Sequence, residues 1–461
     1  MLKTAMSFLE TKGYKVNGHA AQMIDICYQW YGGEDIKGFH DRVTVSNVDY
    51  EMSHTGFAKR ACEDDANLCE IVEIKAKDEA TTEYIADILN KNSFQKKIRE
   101  QLELISACGT CAAYVRMKNA DVYEDGSLNG GEMEIVFVRP DGVVPLNVDE
   151  RGIVTECAFV ADSVENSKRR YSVVIFRQGE GGKYESQSYV LDENGIEIPS
   201  RTTIVTLGEV CPFAILTTAA VNNYKDMDGF GLPKVYNAIP YFKVLDLCFN
   251  VLYGDLDKAD KMILYNEALA QFDQNGNPIT PNKQHKKTFV SMGAKLPEAK
   301  DLVQEINPEI RIEQITKSFE LVLSMISTMF GYGTKKYTFE NGQIKTATEY
   351  IGTKQDSMQE LNRQRQNLTE YIENLIRVIF WFSNNFNGTN YDIDTEIVID
   401  YDDSYITDRE SELEAMRQDA QIFQLPRLMI NYLMERYSLT EEQARAWYED
   451  KETDPDESGE V

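Results

Sequence analysis

Residues 331–386 read GYGTKKYTFENGQIKTATEYIGTKQDSMQELNRQRQNLTEYIENLIRVIFWFSNNF, and the rest of the chain is organised around them. Gly331 and Gly333 suit the left-handed cap that ends a helix. Thr346-Ala347-Thr348-Glu349 fits a capping box, in which the Thr346 hydroxyl caps one orphan N–H and Glu349 returns to another. The helix opened there runs to about Phe386 without a proline, and without a glycine after Gly352. About forty residues at ~1.5 Å each make a rod of roughly 60 Å. Leu361, Leu368, Leu375 and Phe382 form an unbroken heptad; Ile351, Met358, Ile372 and Ile379 nearly complete the seam, and Arg365 takes the missing position. A rod this long with so narrow an apolar stripe is expected to bury itself against neighbouring copies. Met358, Leu361, Leu368, Leu375 and Phe382 are then the subunit-packing residues.

Upstream of Gly331, residues 312–330 read as a helix with Ile312, Ile315, Phe319, Val322, Leu323, Ile326 and Phe330 on one stripe. Residues 233–268 read as one long helix with Pro233 at its first position and irregularities at Pro240 and Gly254. Between these helices, residues 269–311 are turn-rich, with short strands around KKTFVSM and EIRIEQ. From about 111 to 217 the apolar period is two, giving strands AAYVRM, MEIVFV, IVTECAFV, YSVVIFR and YESQSYV. Helical patterning covers 19–31, 57–70, 79–90 and 94–107. The fold class is therefore α+β, with an α+β unit at 50–232 behind a helical arm at 1–49. After the long helix come a strand pair in DIDTEIVIDYDD, a helical tail at 408–450 and an acidic end, 451–461, expected to be disordered.

With 461 residues the chain has room for two to four folding units. Its 76 acidic against 48 basic residues give a formal charge of −28, a surface that repels phosphate. Tight sequence-specific DNA binding is thereby excluded, whereas a conduit that must let DNA slide is not. No apolar run approaches the ~20 residues of a membrane span. The N-terminus MLKTAMSFLETKGYK lacks a signal peptide's apolar core, so the chain is expected in the cytoplasm or on something assembled there. The eight cysteines are scattered through the first 250 residues, which is no disulfide framework.

No catalytic, cofactor or metal site is expected. Cys108-Gly-Thr-Cys111 is the only CxxC, placed between a helix and a strand rather than opening a helix, and is read as a structural turn. His19, His40, His54 and His285 are isolated. Asp400, Asp402, Asp403 and Asp408 lack the glycine and glutamate of a calcium loop. There is no GxxxxGK[ST], and the glycines of DMDGFGLPK lack dinucleotide spacing. Lys335, Lys336 and Lys345 lie in the loop between two long helices. They are three solvated charges in a monomer, or a basic collar if a ring turns that loop to its axis.

The order of these features resembles portal proteins of tailed bacteriophages, of the siphovirus and prophage type from Gram-positive hosts. Gly331 to Ile351, with TFENGQIKTATEYI, carries most of the likeness. Pro212-Phe213 through Asn222 and Gly229 to Leu245-Asp246 adds to it, as does Ile399-Asp400 to Asp408. The resemblance implies a phage portal fold: a wing at 50–232 with 389–407, stem helices at 233–268 and 312–330, and a clip at 269–311. It further implies a tunnel loop at 331–346, a long channel helix at 347–388 and a crown at 408–450. The implied assembly is a homo-oligomeric ring, usually of twelve copies. It would sit at one capsid vertex of the virion, passing double-stranded DNA without sequence specificity during packaging and ejection. Implied partners are the terminase large subunit, the major capsid and scaffold proteins, and a head-completion or adaptor protein, with no membrane and no enzymatic activity. Two other readings remain: a non-portal phage structural or scaffold protein using the same long coiled-coil helix, and a thiol oxidoreductase at Cys108 and Cys111.

Overall fold

The computed structural model describes residues 2–43, 49–123, 126–257, 259, 262–265, 274, 289–291, 303–307, 309–334, 336–337, 347–402, 413, 416–420, 422, 425–437, 439–440 and 443–448. Its helices are α1 (Leu2–Thr11), α2 (Gly18–Gly32), α3 (Phe57–Ala66), α4 (Glu79–Lys91), α5 (Phe94–Cys108), α6 (Lys234–Asp257), α7 (Ile312–Met329), α8 (Ala347–Phe386) and α9 (Pro426–Tyr437). The strands of the first half are β1 (Asp41–Val43), β2 (Asp49–Glu51), β3 (Ile71–Ala76), β4 (Thr110–Lys118), β5 (Asp121–Val122), β6 (Leu128–Asn129), β7 (Glu132–Val138), β8 (Val143–Val148), β9 (Val154–Glu165) and β10 (Lys168–Gln178). Then follow β11 (Tyr184–Leu191), β12 (Thr203–Thr206), β13 (Phe213–Thr217), β14 (Met262–Tyr265), β15 (Phe289–Ser291), β16 (Val303–Ile306) and β17 (Ile397–Tyr401). The mixture of helix and sheet is the expected α+β class. The chain forms two units, residues 1–67 with 76–397, and residues 68–75 with 398–461.

In the larger unit a five-stranded sheet runs β12-β11-β10-β9-β8, every pairing antiparallel. Its longest hairpin places Glu165 opposite Lys168 across Asn166 and Ser167, whose φ values of 51° and 62° are those of a type I′ turn. One face of this sheet is covered by α1: Ala5, Phe8 and Leu9 pack into a cluster with Val160, Tyr171, Val173, Ile175 and Leu191. A three-stranded sheet, β13-β4-β7, lies against α5 and α8. The smaller unit contains the β3–β17 pair and α9.

The long helix forms over 40 residues as its sequence indicates, but its apolar seam faces inward within one chain. Leu361, Leu368, Leu375 and Phe382 are at most 3% exposed, and Tyr371, Ile372, Ile376, Val378, Ile379 and Phe380 are buried with them. Tyr371 donates to Gln101 Oε1 (2.7 Å) and the Tyr84 hydroxyl to Ser383 Oγ (2.7 Å), tying α8 to α5 and α4. The C-terminal half is thus buried over a face about half the helix wide, wider than a coiled-coil seam, with Glu370, Glu373, Arg377 and Asn385 left on the exposed side. Leu361, Leu368, Leu375 and Phe382, expected to pack subunits together, therefore pack within the chain, and Met358, at the edge of the buried stretch, is half-buried. Over four repeats a period of 3.5 separates from one of 3.6 by only ~20° per heptad, so the sequence does not tell the two uses apart.

Four element boundaries also differ from the sequence reading. The helix expected over 233–268 ends at Asp257, and Met262–Tyr265 is a strand between β15 and β16. A run as short as Met-Ile-Leu-Tyr fits either period, and pairing decides it. EIRIEQ is not a strand: β16 precedes it, and α7 already starts at Ile312. In DIDTEIVIDYDD only Ile397–Tyr401 is a strand, and it pairs with the distant Ile71–Ala76. The helix expected over 57–70 stops at Ala66 and passes through one tight turn into β3.

Candidate functional site: the root of the 331–346 loop

Of the predicted loop lysines, Lys336 is described, its Nζ 5.5 Å from the centre of the Tyr332 ring. Lys335, Lys345 and Thr346 lie outside the described residues. So does the side chain of Glu349, although α8 does begin at Ala347, the residue after the expected cap. What the structure shows in full is how the loop is rooted.

α7 packs Ile315, Val322, Leu323 and Ile326 inward and ends at Phe330. Gly331 then takes φ +86°, and its N–H donates back to the Thr328 carbonyl (3.0 Å) while that of Tyr332 donates to the Ser327 carbonyl (3.0 Å). Two constraints select glycine here. The left-handed backbone is one, and the other is space, since a Cβ would stand 2.8 Å from Cγ of Glu360 on α8. The chain is therefore pressed onto α8 as it leaves α7.

Tyr332 next turns into the core, 2% exposed, and its hydroxyl donates to Oδ1 of Asp65 at 2.9 Å. The same oxygen accepts from Lys234 Nζ (2.8 Å), which also reaches Oε1 of Glu360 (2.9 Å). The Lys234 side chain is only 4% exposed. Desolvation alone would lower its pKa, but Asp65 and Glu360 hold it above the ordinary lysine value. Alongside, Tyr337 donates to Oδ2 of Asp64 (3.1 Å), whose other oxygen pairs with Arg60 (2.7 Å). Burial pushes both phenols up, and the facing carboxylates push them further, so both remain donors. Phe57 meets the Tyr337 ring edge-on at 4.9 Å, closing the cluster.

Charge placement explains why these groups belong together. Lys234 is the first residue of α6, where the helix dipole disfavours a cation, and Asp65 lies in the last turn of α3, where it disfavours an anion. Neither charge serves its own helix; each serves the other. Four stretches far apart in sequence meet at one lysine: α3, the start of α6, the loop root and α8. No spacing motif could have announced Asp65, Lys234, Tyr332 and Glu360, and the only sequence signal was charge at the unfavoured ends of two helices.

Two glycine turns meet just before α6. A Cβ on Gly109 would stand 2.3 Å from the Gly231 carbonyl oxygen, and one on Gly231 would stand 2.2 Å from that of Gly109. Their backbones pack directly, with the Gly231 N–H donating to Thr110 Oγ1 (2.8 Å) and the Thr218 N–H to the Gly109 carbonyl (3.1 Å). The CxxC is the structural turn this contact needs. Burial pushes the Cys108 and Cys111 thiols well up, away from the lowered range of a redox-active pair.

A second buried network fastens the segment after α2 to α6. Asp246 accepts from the Thr55 N–H (2.8 Å), the Thr55 hydroxyl (2.7 Å) and His40 Nε2 (3.2 Å). Because His40 Nδ1 accepts from the Ile36 N–H (2.8 Å), the ring proton sits on Nε2, facing Asp246. Among the described residues no group of three or more potential metal ligands occurs. Asp403 and Asp408 lie outside them, and Asp400 pairs with Lys75.

Residues 55–456 match the family described as phage portal protein, SPP1 Gp6-like. The match spans most of the chain, and the chain belongs to this family. No curated protein matches it. Among solved structures it is similar to a chain from the neck of a native GTA particle computed with C12 symmetry, at 10% identity over 85% of this chain and 89% of that one, with a TM-score of 0.40. A likeness that distant carries no argument about either molecule.

Proposed function

We propose that the protein is the subunit of the portal ring at one capsid vertex, the channel through which double-stranded DNA is packaged and ejected. The family match over residues 55–456 carries this reading. In it the wing is 50–232 with 389–407, the stem α6 and α7, the clip the insertion between them, the tunnel loop 331–346 and the crown 408–450. The clip docks the terminase large subunit and later a head-completion or adaptor protein, while the wing meets capsid and scaffold proteins. The subunit is assembled in the bacterial cytoplasm and resides in the virion; no described helix is long and apolar enough to cross a membrane. The channel is a conduit and not an enzyme.

Ring formation needs an apolar surface, and with the α8 seam internal it must lie elsewhere. α6 buries Val235, Ala238, Phe242 and Leu245, yet on its opposite side Val244 and Val251 are 43% and 42% exposed, in line with Pro240 and Leu247. α7 presents Leu321, Met325 and Met329 at 58%, 41% and 37%, one turn apart and away from its buried stripe. Two such outward stripes on neighbouring helices suit a head-to-tail contact, one copy's α6 meeting the next copy's α7. Negative-stain images of purified protein should show closed rings end-on, and Val244→Asp with Met325→Asp should leave folded monomers. Wild-type protein that stays monomeric at every concentration and salt would end the ring reading.

A net charge of −28 per copy gives a wall from which DNA, with one charge per ~1.7 Å, does not adsorb. Against it, Lys335, Lys336 and Lys345 supply weak, exchangeable phosphate contacts without base readout. Lys335→Glu with Lys336→Glu is expected to reduce packaged DNA severalfold while ring yield stays at the wild-type level. Normal packaging by that variant would take the loop out of the mechanism.

A further inference from the structure

We propose that Lys234 is a positioning residue, the pin that holds the root of the 331–346 loop at a fixed place against α6 and α8. The inference rests on the portal reading only for what the loop does; the pinning itself rests on geometry. Lys234 begins α6, and its ammonium bridges Asp65 Oδ1 on α3 and Glu360 Oε1 on α8. Tyr332 reaches into the same junction through Asp65, and Gly331 lies against the stem of Glu360. The Ser357 hydroxyl adds a bond to the Tyr332 carbonyl (3.4 Å), a second tie between loop root and α8. These ties on residues 331 and 332 are thus within one bond of Lys234 or on the turn of α8 that carries Glu360.

The chemistry makes the pin discrete rather than graded. A buried ammonium has no weaker site to slide to, because leaving either carboxylate exposes an unpaired charge to a low-dielectric interior. With Tyr332 sharing Asp65, a shift of α6 along its axis must either carry the loop root with it or break both ion pairs together. Movement at the start of α6 therefore reaches the loop without passing through α7. Hydrophobic packing alone, as at Phe242 and Phe330 (6.5 Å between ring centres), would let the two slide in small steps.

Positioning and stability can be separated by experiment. Replacing a buried ionic group by neutral residues of similar volume is often neutral for folding, whereas leaving one charge behind is not. Lys234→Met, Asp65→Asn and Glu360→Gln together should therefore fold, with the melting temperature and ring yield near wild type. The side-chain amide carbonyl placed at position 65 would still accept from Tyr332, but the loop root loses its electrostatic pin. The expected readout is hydrogen exchange at the Gly331 and Tyr332 amides roughly tenfold faster, with exchange in the middle of α5 unchanged. Lys234→Arg, which can still bridge two carboxylates, should retain wild-type exchange.

Unchanged protection of Gly331 and Tyr332 in the folded neutral variant would overturn the pin. If the triple variant does not fold, Glu360→Gln alone leaves the Lys234–Asp65 pair whole and serves the same measurement, with a severalfold effect expected and no change overturning the proposal. Loss of retained DNA in capsids carrying the neutral variant would support the coupling of pin to channel. Faster exchange with normal DNA retention would uphold the pin and count against the loop as the DNA contact.

Discussion

Leu368→Asp is expected to leave no folded subunit, rather than a folded monomer unable to join a ring. Leu368 is 0% exposed inside one chain, with Tyr371, Ile372 and Leu375 buried around it. Truncating such a leucine alone costs about 2–5 kcal/mol, and a carboxylate left in its place adds several more for want of a partner. Domains are stable by only about 5–15 kcal/mol, so the sum consumes most or all of that margin. Expression in inclusion bodies, or a soluble product without a cooperative melting transition, is the expected result. Soluble, cooperatively melting monomers would instead show that the stripe is a surface which needs a neighbour. The contrast with Val244→Asp and Met325→Asp, whose side chains are exposed in the single chain, separates the two surfaces in one experiment.

The second large effect is Lys234→Met. Removing the cation alone leaves Asp65 and Glu360 facing each other at a site where both side chains are at most 16% exposed. Breaking one side of a buried ion pair costs about 3–5 kcal/mol, chiefly from the charge left behind. Thermal unfolding of the single variant should fall well below that of the neutral triple variant, although the triple changes three residues to its one. That inversion is the signature of buried charge left without its partner. Equal melting temperatures would mean that solvent reaches the site and that the pairs contribute little.

Much of this was legible without coordinates because local chemistry was sufficient. The long helix, the stop at Gly331, the hairpins after Lys118 and the turn at Cys108 follow from periodicity, glycine and capping residues that act within a few positions. The sequence reading did not name β3 and β13, which are short and complete their sheets with partners far along the chain, nor β8 and β12, which pair with their sequence neighbours but carry too few alternating residues to stand out. The same holds for Met262–Tyr265, whose four residues fit a helix until β15 and β16 lie beside them. The site divides in the same way. The loop and its flanking helices could be marked in the sequence, whereas the lysine that anchors them could not.

By itself the sequence determined where most of the helices begin and stop, which half of the chain is sheet, that the surface is acidic, and the order of elements shared with phage portal proteins. Each of these is set by neighbours a few residues apart or by composition summed over the chain. Only the tertiary structure decided what covers the apolar stripe of α8, the chain's own core, and that Lys234, Asp65, Tyr332 and Glu360 share one buried junction. Burial and ion pairing are properties of distance in space, and residues nearly three hundred positions apart, such as Asp65 and Glu360, acquire that distance only once the chain has folded.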